Sequence, residues 1–172
     1  MSIIKPSDFT GFFAISSDTY TDKKLRVFIS QFEGSILCKL LGFDLAQEII
    51  AYLPDRDPAD PLLDAIIDPF CETYEHNDCI YESKGLINLL VAFIYYEFIT
   101  QNPFKNTPAG NTKSQYSSTK ETPNQNLYRL AEQRRNEALD TWEAIQWKIN
   151  QSLTDYPDFK GVEEKPVFQN VL

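Results

Sequence analysis

The stretch from Gly85 to Thr100, "GLINLLVAFIYYEFIT", is the most apolar run of the chain. A run of this kind is buried in a bilayer, in the protein's own core, or under a partner. Length removes the first option. Gly85 to Ile99 is 15 residues, interrupted by Asn88 and Glu97. As a helix it reaches about 22 Å, whereas a hydrocarbon core needs about 30 Å, or about 20 apolar residues. Leu86, Leu89, Leu90, Phe93 and Glu97 form one stripe. Ile87, Val91, Ile94, Tyr95 and Phe98 make the remaining faces apolar too, the pattern of a helix enclosed on every side. The run therefore predicts a central core helix, with Gly85 marking the turn into it.

A central helix needs neighbours. Upstream, Asp22 is a suitable N-cap, and Leu25, Phe28, Ile29, Phe32, Ile36, Leu37, Leu40 and Leu41 recur in steps that share one face. Gly42 is the expected C′ residue. Asp44 caps a shorter helix, "LAQEIIAYL", which Pro54 stops. Asp60 followed by Pro61 is an N-cap with proline at the first helical position, and it opens "PLLDAII". The segment "PFCETYEHNDCIYESKG" reads as a small hairpin or an irregular loop around "EHND". Downstream, Thr122–Pro123 starts the last helix, expected to run to Thr154 over about 45 Å. Its stripe is Leu127, Leu130, Arg134, Ala138, Trp142, Ile145, Ile149 and Leu153.

Three stretches do not fit the helices. Residues 1–21 read as an extended N-terminal arm carrying the pair Phe12–Phe13. Residues 101–123 are polar and aperiodic, with Phe104 and Tyr116 as isolated aromatics, and loops of that length are uncommon inside a compact domain. Residues 155–172 keep Tyr156, Phe159, Val167, Phe168, Val171 and Leu172, apolar material that a free tail seldom retains. The expected fold class is all-α: a helical bundle over 22–154, with a long C-terminal helix, a protruding loop at 101–123, and arms at 1–21 and 155–172. The ten aromatic and aliphatic residues named here are the expected inter-subunit or partner contacts. Deleting Tyr156–Leu172 is expected to leave the bundle folded and weaken assembly.

Composition narrows the function. The 172 residues are 42% hydrophobic and 24% charged, ordinary globular values, with a net charge of −9. Gripping nucleic acid takes clustered cations, which this balance disfavours. Cys38, Cys71 and Cys79 are an odd number at uneven spacing, which suggests a reducing compartment, not a disulfide framework. "MSIIKPSDFTGFF" lacks the apolar core and cleavage site of a signal peptide.

Catalytic chemistry finds little support. His76 is the single histidine. Cys71, His76 and Cys79 form a C-x4-H-x2-C pattern, looser than the paired cysteines of structural zinc sites. A small thiol- or metal-dependent enzyme built on these three is the alternative class. "DRDPAD" lacks the glycine and terminal glutamate of a calcium loop, and no phosphate-binding glycine motif occurs. "AEQRRNEALD" reads as a salt-bridged helix face. We expect no enzyme activity, no cofactor and no metal.

The order of features carries a resemblance. "LLGFDLAQEIIAYL" is followed by "ETYEHNDCIYESKGL", "INLLVAFIYYEFI", the polar "TPAGNTKSQYSSTKETP" and a long helix rich in Arg, Asn and Glu. Over about residues 22–153 this resembles the head–tail connector (adaptor, or neck ring) proteins of tailed bacteriophages, and most nearly those of crAss-like and other Bacteroidetes phages. The C-terminal tail and Glu97 depart from that pattern. The resemblance implies a virion structural protein, assembled in the host cytoplasm, with twelve copies in a ring. It implies partners in the portal protein, an adjacent tail or neck ring protein, and further copies of itself. Genomic DNA would pass through its channel without specific binding, and no membrane would be involved. A tail-completion or other neck protein is the nearest alternative.

Overall fold

Ten residues of the central helix are buried, among them Leu86, Leu89, Leu90, Ile94 and Phe98, and helices before and after it in the sequence pack against it. The structure is a computed structural model, which describes residues 2–15, 19–56, 59–74, 79–101 and 123–160. At 19–20, 74, 79 and 123–126 it describes the backbone only. The elements are α1 (Thr19–Leu41), α2 (Phe43–Tyr52), α3 (Pro61–Ile67), β1 (Phe70–Tyr74), β2 (Cys79–Ser83), α4 (Leu86–Gln101) and α5 (Pro123–Gln151). About 70% of the described residues are helical. The class is mainly α and not purely so, because β1 and β2 pair antiparallel, Phe70 opposite Ser83 and Tyr74 opposite Cys79.

Contacts between rings fix the directions of the three long helices. Phe28, early in α1, meets Phe98, late in α4, edge to face at 5.3 Å. At the other end of α1 the Leu41 carbonyl accepts from Lys160 N, next to Phe159. The Phe159 ring stands 6.5 Å from Trp142, in the part of α5 that Lys84 and β2 also meet, so α1 and α4 are antiparallel. Lys84 and β2, just ahead of α4, meet α5 between Glu137 and Trp147. Tyr96, near the end of α4, lies under the Arg135 guanidinium at 5.0 Å. So α5 is also antiparallel to α4, and α1 and α5 run the same way on either side of it. The hairpin covers the second half of α5, where Tyr81 stacks on Trp147 with ring centroids 4.5 Å apart. Glu72 of β1 pairs with Lys148.

Turn chemistry explains the corners. The Asp60 carboxylate accepts from Leu62 N and Leu63 N, at 2.9 and 3.2 Å, and starts α3 as expected. Gly42 has φ +89° and ψ 166°, a region essentially restricted to glycine. It ends α1 and also stands at the N-cap of α2, so Asp44 lies within the first turn and is not the cap. Gly85 has φ +87°, and a Cβ there would sit 2.9 Å from the Ile67 carbonyl oxygen. This close approach fastens the end of α3 to the start of α4. α1 begins at Thr19, three residues before the expected Asp22, and α5 ends at Gln151, three before Thr154.

The N-terminal segment differs most from the expected arm. Instead of extending, it folds into two 3-10 turns, Pro6–Asp8 and Gly11–Phe13, and buries Ile4 and Phe9 in the core. Its anchor is Glu33, midway along α1 and itself buried. That carboxylate accepts hydrogen bonds from Ser2 Oγ at 2.8 Å, Ile3 N at 3.1 Å and Ile4 N at 2.7 Å. A buried carboxylate is tolerated only when its lone pairs are used, and this one is satisfied by the segment it holds.

Candidate functional site

A cavity of about 590 Å³ opens where the N-terminal segment crosses the α3–β1 corner and the start of α4. Phe12, Phe13, Ile67, Ile87 and Val91 give it apolar walls, and Lys84 stands at its edge. Phe13 packs edge to face on Tyr95 at 5.7 Å, which fixes the direction of the segment. Phe12 points outward and is 73% exposed, yet its ring lies 4.3 Å from the Arg134 guanidinium carbon. Such stacking favours the cation electrostatically.

Arg134 organises the edge of this cavity. Its Nη1 donates to both oxygens of Glu137 at 2.7 Å, and Lys84 Nζ reaches the same carboxylate at 3.2 Å. The Arg134 hydrogen bond chiefly holds the Glu137 carboxyl below its ordinary value, against the opposing push of burial, and Lys84 adds to it. Burial pushes the Tyr95 hydroxyl up, while the Arg134 charge opposes this. Arg134 Nε is buried without an acceptor among the described residues. Arg134 occupies a position of the apolar stripe of α5, so its guanidinium is delivered inward between Phe12 and α4. The reading of "AEQRRNEALD" as a salt-bridged face holds for Arg134–Glu137.

A second, smaller cleft of about 200 Å³ lies where the chain leaves α5. Residues 152–155 turn, and Tyr156 inserts beside α3, its hydroxyl donating to the Leu62 carbonyl at 2.8 Å. Burial raises the Tyr156 pKa above its ordinary value. Phe159 packs against the core, its ring 6.5 Å from that of Trp142. Lys160 N then donates to the Leu41 carbonyl at 3.2 Å, and its Nζ pairs with Asp44 at 3.3 Å.

Of the ten expected contact residues, the structure places four. Phe12 is presented to the outside. Phe13 is half-buried against Tyr95, and Tyr156 and Phe159 lie in the chain's own core, so the packed region runs past the expected boundary at 154. Phe104, Tyr116, Val167, Phe168, Val171 and Leu172 lie outside the described residues. Sequence reasoning missed Glu33 and Lys84. The only available signal was position: Glu33 sits on a helix that otherwise shows its apolar residues at the same pitch.

The thiol pattern is not drawn together by the described backbone. Cys71 pairs with Glu82 and Cys79 with Tyr74, three rungs apart, about 10 Å along the strands. No disulfide closes over that span. Cys71 is exposed, Cys38 sits half-buried on α1, and His76 lies outside the described residues. Among the described residues no group of three or more His, Cys, Asp and Glu is placed to hold a metal ion. No described helix is long and apolar enough to cross a membrane.

These features define a mainly helical protein in which some charged residues hold the chain's own segments, while other charged residues and several large apolar ones stand exposed. Family comparison is consistent in length: a family of unknown function, DUF6712, matches residues 39–168, about three quarters of the chain, and the chain belongs to that family. The match covers α2 to α5 and the last three residues of α1. No curated protein and no solved structure matches the chain.

Proposed function

We propose that this protein is a virion structural protein, a helical-bundle subunit of a ring in the neck of a tailed phage. The ring joins the portal to the tail and extends the channel through which DNA leaves the capsid. The observation that carries the reading is the order of sequence features from "LLGFDLAQEIIAYL" through "INLLVAFIYYEFI" to the long last helix, which resembles head–tail connectors. Two structural facts support it. The described core is filled by the chain's own helices and segments. Large apolar side chains nevertheless stand outside it at Phe12, Val27, Phe43, Leu62, Ile80 and Leu153, residues of the kind that contacts between subunits bury. The net charge of −9 suits a wall that DNA must pass without sticking.

Negative-stain microscopy of the purified chain mixed with the phage portal protein tests the proposal. Rings seated coaxially on the portal are the expected result. A chain that leaves the portal bare at high micromolar concentration overturns it.

A further inference from the structure

The parallel course of α1 and α5 sorts charge to the two ends of the molecule. Lys23, Lys24 and Arg26 lie within the first two turns of α1, and Arg129 lies early in α5. The α4 terminus brings these starts together, because Phe98 meets Phe28 while Tyr96 meets Arg135. Among the described residues, Asp22, Glu97 and Glu132 are the carboxylates at this end. At the other end, Glu48, Asp60, Asp155 and Asp158 surround the 200 Å³ cleft beside Tyr156, and Asp44 is tied in through Lys160. Asp55 follows α2 and is exposed. Among the described residues, the cations there are Lys39, Arg56 and Lys160, and Arg56 is engaged by Asp64 and Asp68. α1 alone sets the two ends about 30 Å apart.

The single chain's own helix fields give no reason for this sorting. Lys23, Lys24 and Arg26 follow the positive N-terminal end of α1, and Asp155 and Asp158 follow the negative C-terminal end of α5. The acidic end also exposes large apolar side chains on the elements that residues 153–160 tie together. Phe43 is 66% exposed, Leu62 44% and Leu153 53%. The basic end exposes Val27 beside Arg26, at 62%. Apolar centres with charged surrounds are the anatomy of a protein contact. Each end is complementary in charge to the other and not to itself, which disfavours a two-fold contact of either end with its own copy and fits a head-to-tail one.

From this we infer that a second copy of this chain docks its basic end, around Lys23, Arg26, Val27 and Arg129, on the acidic end around Phe43, Leu62, Glu48, Asp155 and Asp158. The inference rests on the ring reading above and deepens it by naming the two surfaces that meet. A repeated head-to-tail contact closes into a ring when its rotation closes. Complementary charge sets the register and speeds encounter, while the apolar residues hold the contact.

The test uses two full-length variants and their mixture. In the first, Lys23, Arg26 and Arg129 become Glu. In the second, Glu48, Asp155 and Asp158 become Lys. All six are exposed, and circular dichroism with thermal melting checks that both variants fold. Sedimentation velocity of the wild type at about 0.05 M salt is expected to show an oligomer, whose apparent dissociation constant rises about tenfold or more by about 0.5 M, as the Debye length shrinks. Each variant alone is expected to be monomeric, because its two ends now repel. Mixed in equal amounts, the two are expected to co-assemble, because each supplies the end the other lacks. Oligomers that survive high salt and both reversals overturn this contact while leaving the ring reading intact. A wild type monomeric at every salt also overturns it, and the ring reading then depends on the portal experiment. The salt series on the wild type decides the matter even if a variant fails to fold.

Discussion

Residues 2–13 and residues 152–160 both lack helical period, and both close the core, but by opposite physics. The first is held by a polar clamp, in which the buried Glu33 carboxylate collects Ser2 Oγ and the N–H groups of Ile3 and Ile4. The second is held by an apolar plug, in which the Tyr156 ring fills the space beside α3 and Phe159 stands near Trp142. At the first site hydrogen bonds satisfy a charge that would otherwise be costly. At the second, removal of ring surface from water does the work, and one hydroxyl bond orients the ring. The difference teaches that loss of periodicity does not make a segment free. What it loses is a local partner, and its distant partner decides.

Breaking the plug is expected to have the largest effect. Tyr156→Ala should cost about 3 kcal/mol, as for other large aromatic truncations in a core, read from urea unfolding. Tyr156→Phe, which keeps the ring and loses the bond to Leu62, should cost about 1 kcal/mol. A Phe variant as damaged as the Ala variant would mean that the site is a polar clamp after all.

Breaking the clamp comes next. Glu33→Ala leaves the buried Ile4 N–H without its acceptor and should cost about 2 kcal/mol. Glu33→Gln keeps one acceptor oxygen and should recover part of that. Faster amide exchange at Ile3 and Ile4 in both variants, with α4 unchanged, would locate the loss in the N-terminal segment. An equal loss in α4 would contradict the clamp.

Alkaline titration separates the two regions more finely. Burial raises the pKa of Tyr95 and Tyr156 above the ordinary 10.0. Between about pH 10 and the folded-state values, the unfolded chain ionises its tyrosines while the folded chain keeps these two protonated. Stability is therefore whole below about pH 10 and falls as pH rises through that window. Tyr156→Phe should flatten the fall, and Glu33→Gln should not.

The smallest effect is expected at Phe12. Its ring is 73% exposed, and its stacking under Arg134 stabilises the fold by about 0.5 kcal/mol. Phe12→Ala should barely shift the melting curve. A shift as large as that of Glu33→Ala would make Phe12 part of the clamp.

The legible parts of the fold were those whose partners are close in sequence. α4 declared itself because it is apolar on every face, and α3 because Asp60 caps its own next turn. Gly42 could be read as a residue of positive φ, but its second role as the start of α2 needed the register of both helices. Glu33 could not be read as an anchor, because its partners lie about thirty residues away and donate through backbone N–H groups that any sequence offers. Tyr156 looked like tail material, since its acceptor is a carbonyl 94 residues earlier. Arg134 lies on an apolar stripe with Glu137 one turn away, and only the folded chain brings Phe12 to it. The expected contact surface was placed in the arms. Among the described residues, those arms fold against the core apart from Phe12, and the other exposed large apolar residues lie on α1, α2, α3 and β2 and just past α5.

The most direct measurement of the central claim is native mass spectrometry of the purified full-length chain at low ionic strength, alone and with the portal protein. A single closed oligomer of fixed copy number, formed alone or on the portal, is the predicted result. A monomer of 19.8 kDa under both conditions would contradict it.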